Sequence, residues 1–89
     1  MANFNIGIDC PSEEAAAQVH AFIEALDFYQ DGLDVDEERV SCVSKQGLLE
    51  ELKKYASEHS VELGIEVWPE GMDYDEAETA GDLEFKNYS

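Results

Sequence analysis

Carboxylates are the main residues in this chain that could do chemistry, and they come in two runs. Between Asp27 and Glu38 stand Asp27, Asp31, Asp34, Asp36, Glu37 and Glu38, with no base among them. Between Glu62 and Glu84 stand Glu62, Glu66, Glu70, Asp73, Asp75, Glu76, Glu78, Asp82 and Glu84, again with no base. On one face of an extended chain, alternate side chains lie about 6.5–7 Å apart, similar to the phosphates along one nucleic-acid strand. A carboxylate row can therefore replace a phosphate row in front of a groove lined with Lys and Arg. Aromatic residues interleave these acids: Phe28, Tyr29, Trp68, Tyr74, Phe85 and Tyr88. Aromatic anchors inside a charged rim are characteristic of protein interfaces. Trp68 and Tyr74 are the interface candidates, while Phe28 and Phe85 read as core.

Other chemistries fit less well. Asp34, Asp36 and Glu38 alternate, and Asp73, Asp75 and Glu78 lie close together, but neither run has the offsets and central glycine of an EF-hand loop. No metal site is expected. His20 and His59 have no nucleophile at a supporting spacing. Cys10 precedes a helix start, where a thiol pKa can fall, but Glu13 and Glu14 oppose that. With no set of residues in mutually supporting roles, the expectation is a protein that is not an enzyme and carries no cofactor.

Charge narrows the partners further. The 89 residues hold 22 acids and 5 bases, a formal net charge of −17, and the sequence pI is about 4.1. That surface repels phosphate backbones and anionic lipid headgroups, and attracts basic proteins or nucleoprotein complexes. No direct binding to nucleic acid or membrane is expected. The charge far exceeds the net of about 2–8 that keeps a small domain in solution. It is also uneven, because the second helix segment holds most of the bases. The two cysteines, Cys10 and Cys42, lie in apolar-patterned segments and read as buried free thiols. With no basic-then-apolar leader and no long apolar window, a cytoplasmic location is expected.

The elements that must carry these groups follow from periodicity. Residues 3–10 alternate as a half-buried strand, with Phe4, Ile6, Ile8 and Cys10 on one side. Ser12 caps a helix whose apolar stripe is Ala15, Val19, Phe22, Ile23 and Leu26. Two strands, roughly 28–34 and 38–44, form a hairpin around Val35-Asp36-Glu37. Ser44 caps a second helix from about Lys45 to His59, with Leu48, Leu49, Leu52, Tyr55 and Ala56 inward. The clearest strand follows, with Val61, Leu63, Ile65 and Val67 inward and Glu62, Gly64, Glu66 and Trp68 outward. Residues from about 69 to 82 are acidic, lack apolar period and read as a loop, and residues 83–88 can add an edge strand. The chain reads as one domain, residues 1–89, of α+β class. The expected arrangement is a ferredoxin-like βαββαβ antiparallel sheet with two helices on one face and a possible C-terminal edge strand. Its other face, bearing Asn3, Asn5, Asp9, Glu62, Glu66 and Trp68, is uncovered in this reading.

In size, charge and these acidic stretches the chain resembles small phage-encoded inhibitors of the anti-CRISPR and anti-restriction kind. The resemblance implies an inhibitor that blocks a nucleic-acid-binding surface of a host defence complex by steric or charge mimicry. Asp31, Asp34, Asp36, Glu37, Glu38, Glu66, Asp73, Asp75 and Glu76 would meet Lys and Arg of the target, with Trp68 and Tyr74 as anchors. The alternative is a non-mimetic interaction module, such as a toxin-neutralising or regulatory subunit, that binds through its aromatics. Exposed sheet edges allow a monomer or an edge-paired homodimer.

Overall fold

The computed structural model describes residues 3–26, 29–45 and 47–89, with the backbone alone for residues 29–31. Alternation of apolar residues gives the central strand β1 (Phe4–Asp9), with Ile6 and Ile8 fully buried. Helix α1 (Glu13–Glu24) starts where Ser12, in extended conformation, accepts the Ala15 N–H at 3.1 Å, and two glutamates occupy its positive first turn. Strands β2 (Tyr29–Asp36) and β3 (Arg39–Ser44) follow as a hairpin. The hairpin turns at Glu37-Glu38, one to two residues beyond the expected place, because the Asp36–Arg39 pair closes the ladder. Asp27 and Phe28, expected in the first acidic run and in the core, lie outside the described residues.

Helix α2 (Leu48–His59) begins three residues later than expected. Ser44 is not its cap. It is the last residue of β3, fully buried, and its hydroxyl donates to the Lys45 carbonyl at 2.9 Å. Gly47 occupies the N-cap position without a side-chain bond, and Ser60 closes the helix in left-handed conformation.

Strand β4 (Leu63–Pro69) leads into a helix, α3 (Tyr74–Ala80), where a loop was expected, and β5 (Glu84–Tyr88) ends the chain as the anticipated edge strand. Helix α3 forms without an apolar stripe because both ends are capped. Asp73 accepts the Glu76 N–H at 2.8 Å, and Gly81, at φ 78°, supplies the left-handed closing residue. Ala77 is its buried residue.

The protein is α+β, with one five-stranded antiparallel sheet in the order β2-β3-β1-β4-β5. The registers Ile6–Cys42, Ile8–Val40, Ile6–Val67 and Ile8–Ile65 put these side chains on one face. They share a core with Ala16, Val19 and Ile23 of α1 and Leu48, Leu52, Tyr55 and Ala56 of α2. Phe22 and Tyr55 join the two helices, their ring centroids 4.6 Å apart.

Glu37 adopts φ 53° at the hairpin turn, a conformation in which a Cβ crowds the following carbonyl. Glu37→Gly is therefore expected to stabilise the fold by about 0.5–1 kcal/mol, the relief of that crowding less the added freedom of the unfolded chain. Urea denaturation reads the shift in midpoint.

Candidate functional site

On the face of the sheet away from α1 and α2, cross-strand register sets the outward side chains in rows. The first row runs Asp36, Arg39, Asp9, Gly64, Asn87; the second runs Asp34, Ser41, Gly7, Glu66, Phe85. A third holds Val43, Asn5 and Trp68.

Arg39 reaches from the first row across Gly7 into the second. Its Nη1 donates to Asp9 Oδ1 at 2.8 Å and to Glu66 Oε1 at 2.8 Å. Gly7 leaves room for it, because a Cβ at that position would lie 2.8 Å from Arg39 Cζ and closer still to Nη2, so the guanidinium would have to shift. Burial pushes the Glu66 carboxyl pKa up, but the hydrogen bonds from Arg39 and Tyr74 and the Arg39 charge outweigh it, and the group sits below the usual 4.5. The neighbouring Glu66 carboxylate raises the Tyr74 phenol pKa, and the buried Oε2 of Glu66 has no hydrogen-bond partner among the described residues.

This face was expected from the sequence to be uncovered, and the structure corrects that. At its third row α3 packs edge-on: the Trp68 and Tyr74 rings are 5.5 Å apart at 84°. Trp68 Nε1 donates to the Met72 carbonyl at 3.1 Å, and Asn5 Nδ2 donates to Pro69 at 3.0 Å and Met72 at 3.3 Å. The two aromatics named as interface anchors thus fasten the 69–72 segment and α3 to the sheet, and both are half-buried.

The expected partner-binding acids divide. Asp34, Asp36, Glu37 and Glu38 are all exposed on the β2–β3 hairpin, and Asp73, Asp75 and Glu76 are exposed at the start of α3. Glu66 is 8% exposed and bound to Arg39, so it does not belong to the outer acidic surface. The side chain of Asp31 lies outside the described residues. Among the described residues the ion-paired carboxylates are Asp9 and Glu66. A cleft of about 480 Å³ between the hairpin tip and the end of β1 is lined by Asp9, Cys10, Asp36, Glu37, Glu38 and Arg39. Phe85, expected in the core, is instead 66% exposed, because its register partner Glu66 faces the open side.

Both cysteines are buried and free, and burial, with Asp9 and Glu38 adding to it at Cys10, raises each thiol pKa to about 11. They are protonated at neutral pH and poor nucleophiles. His59 lies against the Tyr55 ring, centroids 4.3 Å apart. Among the described residues no cluster of three or more His, Cys, Asp or Glu is placed to hold a metal ion, and no helix is long and apolar enough to cross a membrane.

Sequence reasoning missed the Arg39–Asp9–Glu66 cluster. The available signal was Gly7, a glycine inside an alternating strand, which marks a close approach by another group. Comparison with protein-family models, curated proteins and solved structures returns no match.

Proposed function

We propose that this protein is an acidic protein-binding inhibitor that occupies a basic, nucleic-acid-binding surface of a partner protein or nucleoprotein complex. A CRISPR or restriction effector in a host cytoplasm is the kind of target this reading has in view. The observation that carries it is the hairpin. Asp34 and Asp36 share one face of β2 at strand spacing, Glu37 and Glu38 continue the charge around the turn, and all four are exposed. Asp73, Asp75 and Glu76 on α3 supply a second exposed acidic group. Arg39, the base on the sheet face, has two carboxylates on its Nη1, and their charge offsets its attraction for a phosphate. The exposed lysines, Lys45, Lys53 and Lys54, lie just before and within α2, away from the hairpin acids in sequence.

The ferredoxin-like assignment belongs to the same proposal. It is supported by the order β2-β3-β1-β4, in which α1 joins β1 to β2 around β3, and α2 joins β3 to β4 around β1. In this reading α3 and β5 are additions at the β4 edge. The protein acts without catalysis, as a monomer against its target.

Affinity capture from a bacterial lysate at low salt, followed by elution in salt steps, tests the proposal. The expected result is a basic nucleic-acid-binding protein that leaves the column as salt rises and is displaced by added nucleic acid. Retention unchanged by a roughly threefold rise in salt contradicts charge-based binding, because exposed charges are screened over about 8–10 Å near physiological ionic strength.

A further inference from the structure

The two edges of the sheet are built differently. Strand β2 breaks its register with β3 twice, between Tyr29 and Asp31 and between Asp31 and Asp34, and places Gly32 at φ 67°. Bulges and charged side chains of this kind blunt an edge against further pairing. Strand β5 has neither bulge nor proline, and keeps an unbroken register with β4 from Leu63–Tyr88 to Val67–Glu84. Its outer backbone N–H and C=O groups form a regular row with no further strand beside it among the described residues. It also carries Phe85, the most exposed large apolar side chain among the described residues.

Acids surround this edge. Asp82 and Glu84 are exposed at its start, and Glu62, one residue before β4, is exposed near its far end. Lys86, half-buried, is the one base in the strand. The edge thus combines a backbone template, an apolar contact and an acidic rim.

We infer that an extended, basic segment of the partner adds to β5 as a further strand, packs an apolar side chain on Phe85 and sets Lys or Arg toward Glu62, Asp82 and Glu84. This rests on the reading of the protein as a binder of basic surfaces, and specifies how the partner docks. Main-chain hydrogen bonds supply affinity in strand addition, and alternate side chains supply selectivity. A second copy of this chain fits the edge poorly. Each copy carries a net charge of −17, and antiparallel pairing centred on Lys86 sets Lys86 opposite Lys86.

The test uses a synthetic peptide of alternating Arg and Val and two N-methylated versions, one methylated on every Val and one on every Arg. All three carry the same charge, but each N-methylated version lacks the donors of one edge. The expected result for the unmodified peptide is binding, with β5 amides at least about tenfold slower in hydrogen exchange. At least one N-methylated version binds about tenfold more weakly, and Phe85→Ser weakens the unmodified peptide about fivefold. Equal binding of all three peptides overturns strand addition and leaves the charge-based function standing. Binding of none overturns both. A dimer in sedimentation at moderate salt that Phe85→Arg abolishes also overturns the inference, by making a second copy the occupant.

Discussion

Replacing Arg39 by methionine is expected to cost about 2 kcal/mol of stability near neutral pH, and adding Glu66→Gln is expected to recover most of it. The cost arises at Glu66, whose side chain is 11% exposed and whose Oε1 has Arg39 as its donor. Removing one member of a fully buried pair costs about 3–5 kcal/mol, because the remaining charge is stranded away from water. Here the arginine side chain is 36% exposed and Asp9 58%, so water offsets part of that penalty. Neutralising Glu66 in the same molecule removes the stranded charge, so the double variant lies well above the sum of its parts.

The pH dependence separates the two proteins. In the parent the folded-state pKa of Glu66 is held below 4.5, so its contribution is complete above that value and is lost as pH falls through the depressed pKa. Without Arg39, burial is opposed only by the Tyr74 hydroxyl and Asp9, and the folded-state pKa moves above 4.5. The variant then gains stability relative to the parent as pH falls toward about 4. Urea titrations near pH 7 and near pH 4 read this as a gap that narrows with acid. A gap that stays constant contradicts the assignment of the cost to Glu66.

Gly7→Val is expected to change sign with its background. A β-branched residue ordinarily favours a central strand over glycine by up to about 1 kcal/mol. At this position the new Cβ takes the space of the Arg39 guanidinium, which has to shift from its place between Asp9 and Glu66. The expected result is a loss in the parent, at most the cost of about 2 kcal/mol of Arg39→Met, and a gain of up to about 1 kcal/mol when Arg39 is already methionine. Thermal or urea denaturation of the four proteins in this cycle measures the coupling. Equal effects in both backgrounds show that the glycine is not there for the arginine.

The parts of the fold that were legible in the sequence are those with local causes. Alternation in 4–9 and 63–67, the Ser12 cap and the hairpin acids each declare themselves within a few residues. Helix α3 was also local, but its signal was capping rather than periodicity: Asp73 with Glu76 three residues on, and Gly81 after the last turn. A search for an apolar stripe passes over a helix with one buried residue. Ser44 misled for the opposite reason. It has the chemistry of a cap, but the β3 ladder runs through it and buries it. The Arg39 cluster was illegible because its partners lie 30 and 27 residues away along the chain, and only the joint register of β1, β3 and β4 brings them together. Phe85 depended in the same way on the β4–β5 register, which places it on the open side.

The central claim is that the acids form a binding face rather than a uniform coat. Two variants of equal net charge separate these possibilities on the captured partner. One neutralises the hairpin (Asp34→Asn, Asp36→Asn, Glu37→Gln, Glu38→Gln), and the other neutralises exposed helix positions (Glu14→Gln, Glu24→Gln, Glu50→Gln, Glu58→Gln). Measured at one salt concentration, the hairpin variant is expected to bind at least about tenfold more weakly than the parent, and the helix variant to stay within about threefold of it. Equal losses in the two variants would show that affinity follows net charge alone, and would contradict the account.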